Sequence, residues 1–479
     1  MQRQKEIIAQ HEMHAMIGHP SIADAPQAST TSFYSGIEML DHEDSRGASI
    51  DTNTEGFIKK LPENDDLHPL SLLQLVRLSG FWFGYHMFWI LQTVVLLPMQ
   101  IVSIVGNDQK GTGLAVVSLT SGVVFGITSL LIGALNDRFG SYFGRRIPFI
   151  AIGVVCQCAS LFLLWGSEPL WAYTLGYLVA NIFAVVASVP YNGLLADVTP
   201  KAQNGAVSAA TGAANLGGYL VGAGLGICVQ SQSELQIYGI ITAIFISVSS
   251  LTVFGVREPA HHYKQAHNLP IEWGEFFKSM VRPLYLYVDF RRVFISRLLF
   301  QLGIATVQQF LQYWIQDCVE TQLPSTTAVS YGLIPNLVIA PIAAMMIPKH
   351  RRKIVVYISA IFMIAACILI MTTRKFEWVL AVSAVFGCGF GPFISVEFAM
   401  LMDVLPNAAD AARDMSLWHM AMVLPQIIAT PIAGWLLDIT QAYGNSQGMT
   451  CFGYKIIYAL CIFYFLMGVF MTWRIKGIK

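Results

Sequence analysis

The sequence predicts an all-α membrane protein of twelve transmembrane helices, built as two six-helix pseudo-repeats with the N- and C-termini cytoplasmic. Three observations predict it. First, of 479 residues 55% are hydrophobic and only 12% are charged, about half the charge that covers an ordinary soluble protein. Second, from about residue 77 long apolar segments alternate with short polar breaks. Third, two loops recur at one offset of 206 residues. Asp197-Val198-Thr199-Pro200 returns as Asp403-Val404-Leu405-Pro406, and Arg145-Arg146 returns as Arg351-Arg352. The 29 Lys and Arg balance 29 Asp and Glu, so no basic excess argues for nucleic acid.

In chain order, residues 1–70 form a polar tail with 12 acidic and 5 basic residues. No basic start followed by an apolar run resembles a signal peptide there. His11, His14 and His19 cluster in this tail, but a structural metal site needs four fixed ligands, so they read as solvated and no metal or cofactor is expected. The apolar segments span 77–104, 112–135, 147–165, 171–196, 205–230 and 236–254, then 296–316, 328–347, 353–372, 378–402, 414–437 and 453–473. Each can cross a hydrocarbon core that takes about 20 helical residues. Residues 71–254 thus form an N-terminal bundle and 296–473 a C-terminal bundle, followed by a short tail, 474–479. Between the bundles, 255–295 is an amphipathic linker carrying Trp273, Phe276, Phe277, Lys278 and Arg282. With the N-terminus inside, the cytoplasmic breaks and C-terminal tail hold 19 basic residues, Arg297 among them, against four on the other side: Lys110, Arg374, Lys375 and Lys455. That asymmetry orients the chain with both ends in the cytoplasm.

One loop is specific. Between the second and third spans stand Gly133-Ala134-Leu135-Asn136-Asp137-Arg138-Phe139-Gly140 and then Ser141-Tyr142-Phe143-Gly144-Arg145-Arg146. Glycines permit a tight turn; the Asp can face a helix N-terminus and the arginines can pair with it at the membrane surface. This frame resembles the signature loop of the major facilitator superfamily, whose twelve helices form two six-helix halves. Other runs resemble the sucrose–proton symporters and the wider glycoside–pentoside–hexuronide symporters within it. They are Gly144-Arg145-Arg146-Ile147-Pro148-Phe149-Ile150, Pro190-Tyr191-Asn192-Gly193-Leu194-Leu195-Ala196-Asp197, Ala214-Asn215-Leu216-Gly217-Gly218-Tyr219 and Trp89-Ile90-Leu91-Gln92. The plant proteins carry an Arg where this chain has Asn192, and a more basic stretch where it has Lys201-Ala202-Gln203-Asn204. The resemblance implies a secondary active transporter that moves a sugar or glycoside with a proton, its halves rocking about a central site.

Ionisable groups inside a span cost at least about 2.5–3.5 kcal/mol and are functional candidates. Glu397 in the tenth span, His86 in the first and His419 in the eleventh are the candidates for proton coupling. The bland alternatives are a Glu that only hydrogen-bonds across helices and histidines that only pack. The glycine-rich run Gly387-Cys388-Gly389-Phe390-Gly391-Pro392 before Glu397 is expected to loosen that helix. Asp197, Asp403, Asp317 and Asp438 fall at span ends and read as structural caps or anchors. Aromatic rings beside amides suit a sugar, because apolar sugar faces stack and hydroxyls take paired donors and acceptors. Trp89, Gln92, Tyr191, Asn192, Asn215 and Trp418 fit that chemistry, although Trp and Tyr also form interfacial belts. Gly218, Gly222 and Gly226 recur every fourth residue and read as a packing stripe.

No Gly-x-x-x-x-Gly-Lys-Ser/Thr phosphate loop occurs, and no metal or nucleophile constellation marks an enzyme. Cys156 and Cys158 read as packing residues, while a Cys318–Cys451 disulfide is possible but not inferable from sequence. The expected partners are therefore a small-molecule solute, a proton and the lipid bilayer, with the chain a monomer in a plasma or inner membrane. The alternatives are a non-sugar solute (an organic acid, an amine or a drug-like molecule) or a non-transporting nutrient sensor.

Overall fold

The computed structural model describes residues 69–138, 144–229, 233–258, 284–346, 351–404 and 411–476, with Gly274 and Arg282 besides. Its first long helix begins where chemistry permits. Ser71 accepts from the Gln74 amide (3.4 Å) and Gln74 accepts in return from the Ser71 N–H (2.7 Å), a reciprocal cap. From there α1 runs Leu72–Val105, with a wider helical turn at Leu91–Leu96. It is followed by α2 (Lys110–Arg138), α3 (Ile147–Leu164), α4 (Leu170–Val198), α5 (Asn204–Cys228) and α6 (Glu234–Gly255). The second half comprises α7 (Val288–Cys318), α8 (Ser325–Met345), α9 (Arg352–Thr372), α10 (Phe376–Val404), α11 (Ala411–Ser446) and α12 (Phe452–Arg474). Ten of these are long and apolar enough to cross a membrane. The other two are α5, diluted by glycine, and α11, which are 25 and 36 residues long.

In the first half α1 packs on α5 and α6, while α4 packs on α2 and α3; in the second, α10 packs on α8 and α9, and α7 on α11 and α12. The halves meet where α2 lies on α11, α5 on α8, and the wide turn of α1 on α7. Large apolar side chains remain exposed in stripes, such as Leu119, Val123, Ile127 and Leu131 along α2. Spaced by four, they lie on one helix face and present it to lipid. The glycine stripe of α5 works as a packing surface: Gly218 and Gly222 lie against the α1 backbone, and Gly226 against Ser330 of α8.

Two expectations are corrected. The seventh helix starts at Val288, not at 296. Its first turns are charged, and an apolar scan misses them; Asp289 and Arg292 pair there at 2.9 Å, one turn apart. The glycines of α10 do not loosen it. The helix is continuous, and Gly387, Gly389 and Gly391 let Asn336, Ser359 and Ala340 of α8 and α9 approach its backbone. Missing side chains are used here for closeness rather than for bending. The tail through residue 68, and with it His11, His14 and His19, lies outside the described residues. At its edge, Leu70 exchanges hydrogen bonds with Gln203 between α4 and α5 (2.6 and 3.1 Å).

Candidate functional site

Trp82, Tyr85, His86 and Trp89 fall at helical spacing on α1, so their rings share a side of that helix. Trp82 stacks on Tyr85 (5.4 Å between centroids) and on Tyr191 of α4 (5.2 Å). His86 meets the edges of Trp82 at 4.6 Å and of Tyr219 from α5 at 4.9 Å. Its Nε2 lies 3.1 Å from Asn215 Nδ2. For that amide to donate, Nε2 must be the acceptor, which puts the ring proton on Nδ1. His86 is 9% exposed, and among the described residues its Nδ1 finds no partner. Trp89 faces Tyr219 at 6.1 Å.

Three helices thus bring together Trp89, Tyr191, Asn215 and His86, four of the residues singled out from sequence. The Tyr191 hydroxyl donates to the Leu78 carbonyl (3.0 Å), and its buried ring packs between Phe81 (4.7 Å) and Trp82. Gln92 lies in the wide turn of α1, buried, and neither of its amide atoms has a partner among the described residues. Such turns gather at functional sites. Asn192 is half-buried beside Tyr191. Trp418 and His419 lie on α11, with side chains outside the described residues. Tyr219 and Trp82 join the cluster without having been selected; Tyr219 stands one turn beyond Asn215, a spacing that points to the same helix face.

Glu397 is not a lone carboxyl. Its Oε1 lies 3.4 Å from an Arg297 nitrogen, and both side chains are only 7% exposed. Sequence reading missed the partner by counting Arg297 as a loop cation, whereas α7 already carries it into the protein. A buried charge is costly unless paired, and each side chain sets an opposite charge beside the other. The pair ties α7 to α10 beside Ser296, which bonds Thr472 of α12 (2.7 Å).

A second charged group lies at the α3 and α4 ends nearest the α2–α3 loop. Arg146 Nε meets Asp197 Oδ2 at 2.5 Å, and Arg145 meets the same oxygen at 3.2 Å. Gly193 makes room: a Cβ there would fall on the Arg146 guanidinium. Gly144 takes the positive φ of 108° that the turn requires. The carboxylate at the α3 N-terminus is Glu258, which accepts from the N–H groups of Arg145, Arg146 and Ile147 at 2.7, 2.8 and 2.7 Å. Among the described residues, that anion comes from beyond α6. Gly133 is buried in α2. Gly140 and the side chains of Asp137, Arg138 and Asp403 lie outside the described residues.

Where α7 ends and α12 begins, Cys318 and Cys451 form a disulfide, Cα atoms 5.9 Å apart. Asp438 accepts from the Gly111 and Thr112 N–H groups (3.0 and 2.6 Å), so it caps α2.

Known proteins match this architecture. Residues 81–318 and 293–477 match the family model of the Major Facilitator Superfamily. Among solved structures the chain is similar to the nucleoside transporter NupG, at 16% identity and a TM-score of 0.65, over 85% of this chain and 100% of that one. It is similar to the peptide transporter POT in complex with sulfate, at 12% identity and a TM-score of 0.64, over 86% and 98%. A bacterial homolog of the human lysosomal transporter Spinster, inward-facing and unoccupied, aligns at 12% identity and a TM-score of 0.61, over 84% and 94%. No curated protein sequence matches. At such identities these likenesses speak for the fold, while the family model covers nearly all of the helical region. The chain belongs to the major facilitator superfamily, as a multi-pass integral membrane protein.

Proposed function

We propose that this chain is a proton-coupled symporter of a sugar or glycoside, working by alternating access with all twelve helices spanning and both termini cytoplasmic. One observation carries the solute reading: the cluster of Trp82, Trp89, Tyr191 and Tyr219 around the His86–Asn215 pair. Indole and phenol faces stack on apolar sugar faces, and an amide offers both donor and acceptor to a hydroxyl. Gln92, with its unpartnered amide one turn on, supplies a second such group. Binding at the middle of a two-half bundle suits a rocking motion about the site.

Coupling is assigned to the buried ionisable groups Glu397 and His86, with His419 as the third candidate. Protonating His86 turns Nε2 from acceptor to donor, so Asn215 must present its oxygen instead and redirect its amide N–H groups. A proton at Glu397 would dissolve its pair with Arg297. Either event changes the partners of a buried group, which is how a proton biases one state over another. The signature-loop residues Gly133, Asp137, Arg138, Gly140, Gly144, Arg145 and Arg146 act on that equilibrium rather than on solute contact.

The test is uptake into proteoliposomes of labelled disaccharides, glycosides, nucleosides, organic acids and amines, with and without an acid-outside gradient. We expect gradient-driven accumulation of a sugar or glycoside, and at least a tenfold loss of apparent affinity in Trp89→Ala and Asn215→Ala. Accumulation of another class alone refutes the sugar reading. Solute binding with no flux of any kind would favour a nutrient sensor.

A further inference from the structure

Among the described residues, the hydrogen bonds and ion pairs that join the halves lie on one side. α1 to α12 run up and down in turn, so the α1–α2, α5–α6, α7–α8 and α11–α12 turns share the face opposite the termini. Each of these polar contacts falls in the parts of the helices next to that face. Thr327 of α8 donates to the Ile227 carbonyl of α5 (3.1 Å). Gln312 of α7, with its amide turned to satisfy both, donates to Val94 and Val95 of α1 at 2.9 Å each. Pro98 has no N–H to offer the Val94 carbonyl, and Gln312 brings it a donor from the second half. Gly111 of α2 and Gly434 of α11 meet backbone to backbone, and a methyl on either would strike the other's carbonyl.

At the centre of this seam is an ion pair. Lys110, first residue of α2, bonds Asp317 at the end of α7. Lys110 is 3% exposed and lies over the Tyr313 ring at 5.2 Å. Tyr454 of α12 donates to the same Asp317 oxygen at 2.6 Å. The adjacent Cys318 is bonded to Cys451, the residue before α12 and three before Tyr454. The disulfide therefore holds Asp317 and Tyr454 in one rigid group that belongs wholly to the second half. Only Lys110 comes from the first.

We infer that Lys110, Asp317 and Tyr454, with the Asp438 cap on α2 and the Gly111–Gly434 contact, form a disulfide-braced latch that holds this face closed and must release for solute to enter from it. The lysine is the moving part. On separation, Lys110 gains water and loses Asp317, while Asp438 surrenders the two α2 amides to solvent. The closed state is favoured because, among the described residues, Lys110 and the two α2 amides find their partners across the seam. The latch acts irrespective of which solute the central site takes.

The test reads opening at the other corner of the seam. Thr327→Cys in a Cys228→Ser background is labelled with a polar maleimide in nanodiscs, without solute, and followed by peptide-resolved mass spectrometry. In the otherwise unaltered chain this cysteine should be protected. Lys110→Asp and Asp317→Lys should each raise its labelling rate at least tenfold, and the double exchange should bring the rate back towards the parent. Monodisperse elution and retained helicity identify folded variants. If Lys110→Asp does not fold, Lys110→Met serves in its place. Reducing Cys318–Cys451 with a membrane-impermeant phosphine should raise the rate at least threefold. Unchanged labelling in both single variants overturns the latch, and a double exchange no slower than the singles overturns the pairing. A rate indifferent to reduction overturns the bracing.

Discussion

Replacing one member of the Arg297–Glu397 pair should do more damage than replacing both. Each side chain is 7% exposed, so solvent cannot take over from the lost partner. Removing one charge from a buried pair costs about 3–5 kcal/mol, because the other charge is left uncompensated. Glu397→Gln and Arg297→Met are each expected to fall in that range. If the two effects were independent they would sum to about 6–10 kcal/mol. Replacing a buried pair by apolar groups of similar volume is instead often neutral or stabilising, by about 1–4 kcal/mol. Arg297→Met/Glu397→Met should therefore be more stable than either single variant, and close to the parent. The assay is apparent melting temperature of all forms in one detergent, with helicity checked at the start. A double variant less stable than both singles would show that the two residues do not act as a pair. The same proteins separate coupling from stability. If Glu397 carries the proton, the double variant still exchanges solute, which needs no net proton movement, but does not accumulate it down a pH gradient. Accumulation equal to the parent would move the proton to His86 or His419.

Two further outcomes follow from the loop end of α3. Gly193→Ala places a methyl on the Arg146 guanidinium, and overpacking of this kind costs about 1–3 kcal/mol; Arg146→Ala should relieve that cost, and additive losses in the double variant would contradict the contact. Glu258→Ala removes the carboxylate from three N–H groups of α3, a capping loss of about 0.5–2 kcal/mol. Hydrogen exchange at Arg146 and Ile147 should quicken in that variant, and unchanged protection would place the cap elsewhere.

The helical class and the superfamily were readable because both rest on local rules. A hydrocarbon core demands about 20 apolar residues per span, and charge-poor segments of that length recur along the chain. The aromatic cluster around His86 was partly readable too. Trp89, Asn215 and His86 announced themselves as polar or amphipathic groups in apolar surroundings, and Tyr219 was reachable from Asn215 by helical spacing. What could not be read was pairing. Nothing in the local sequence of Glu397 shows that Arg297, a hundred residues earlier in the chain, faces it across α7 and α10. Nor does Asp197 reveal that it receives Arg145 and Arg146, or Glu258 that it caps α3.

The same division separates Lys110 from its fate. Composition and the positive-inside rule place it at a span end, where a lysine is ordinarily solvated. Only the approach of α2 to α7 and α11, made possible by Gly111 against Gly434, buries it beside Asp317. Periodicity reports which face of a helix is apolar, a property of one segment. Which charge meets which depends on how the segments cross, and that is decided by packing summed over the whole bundle.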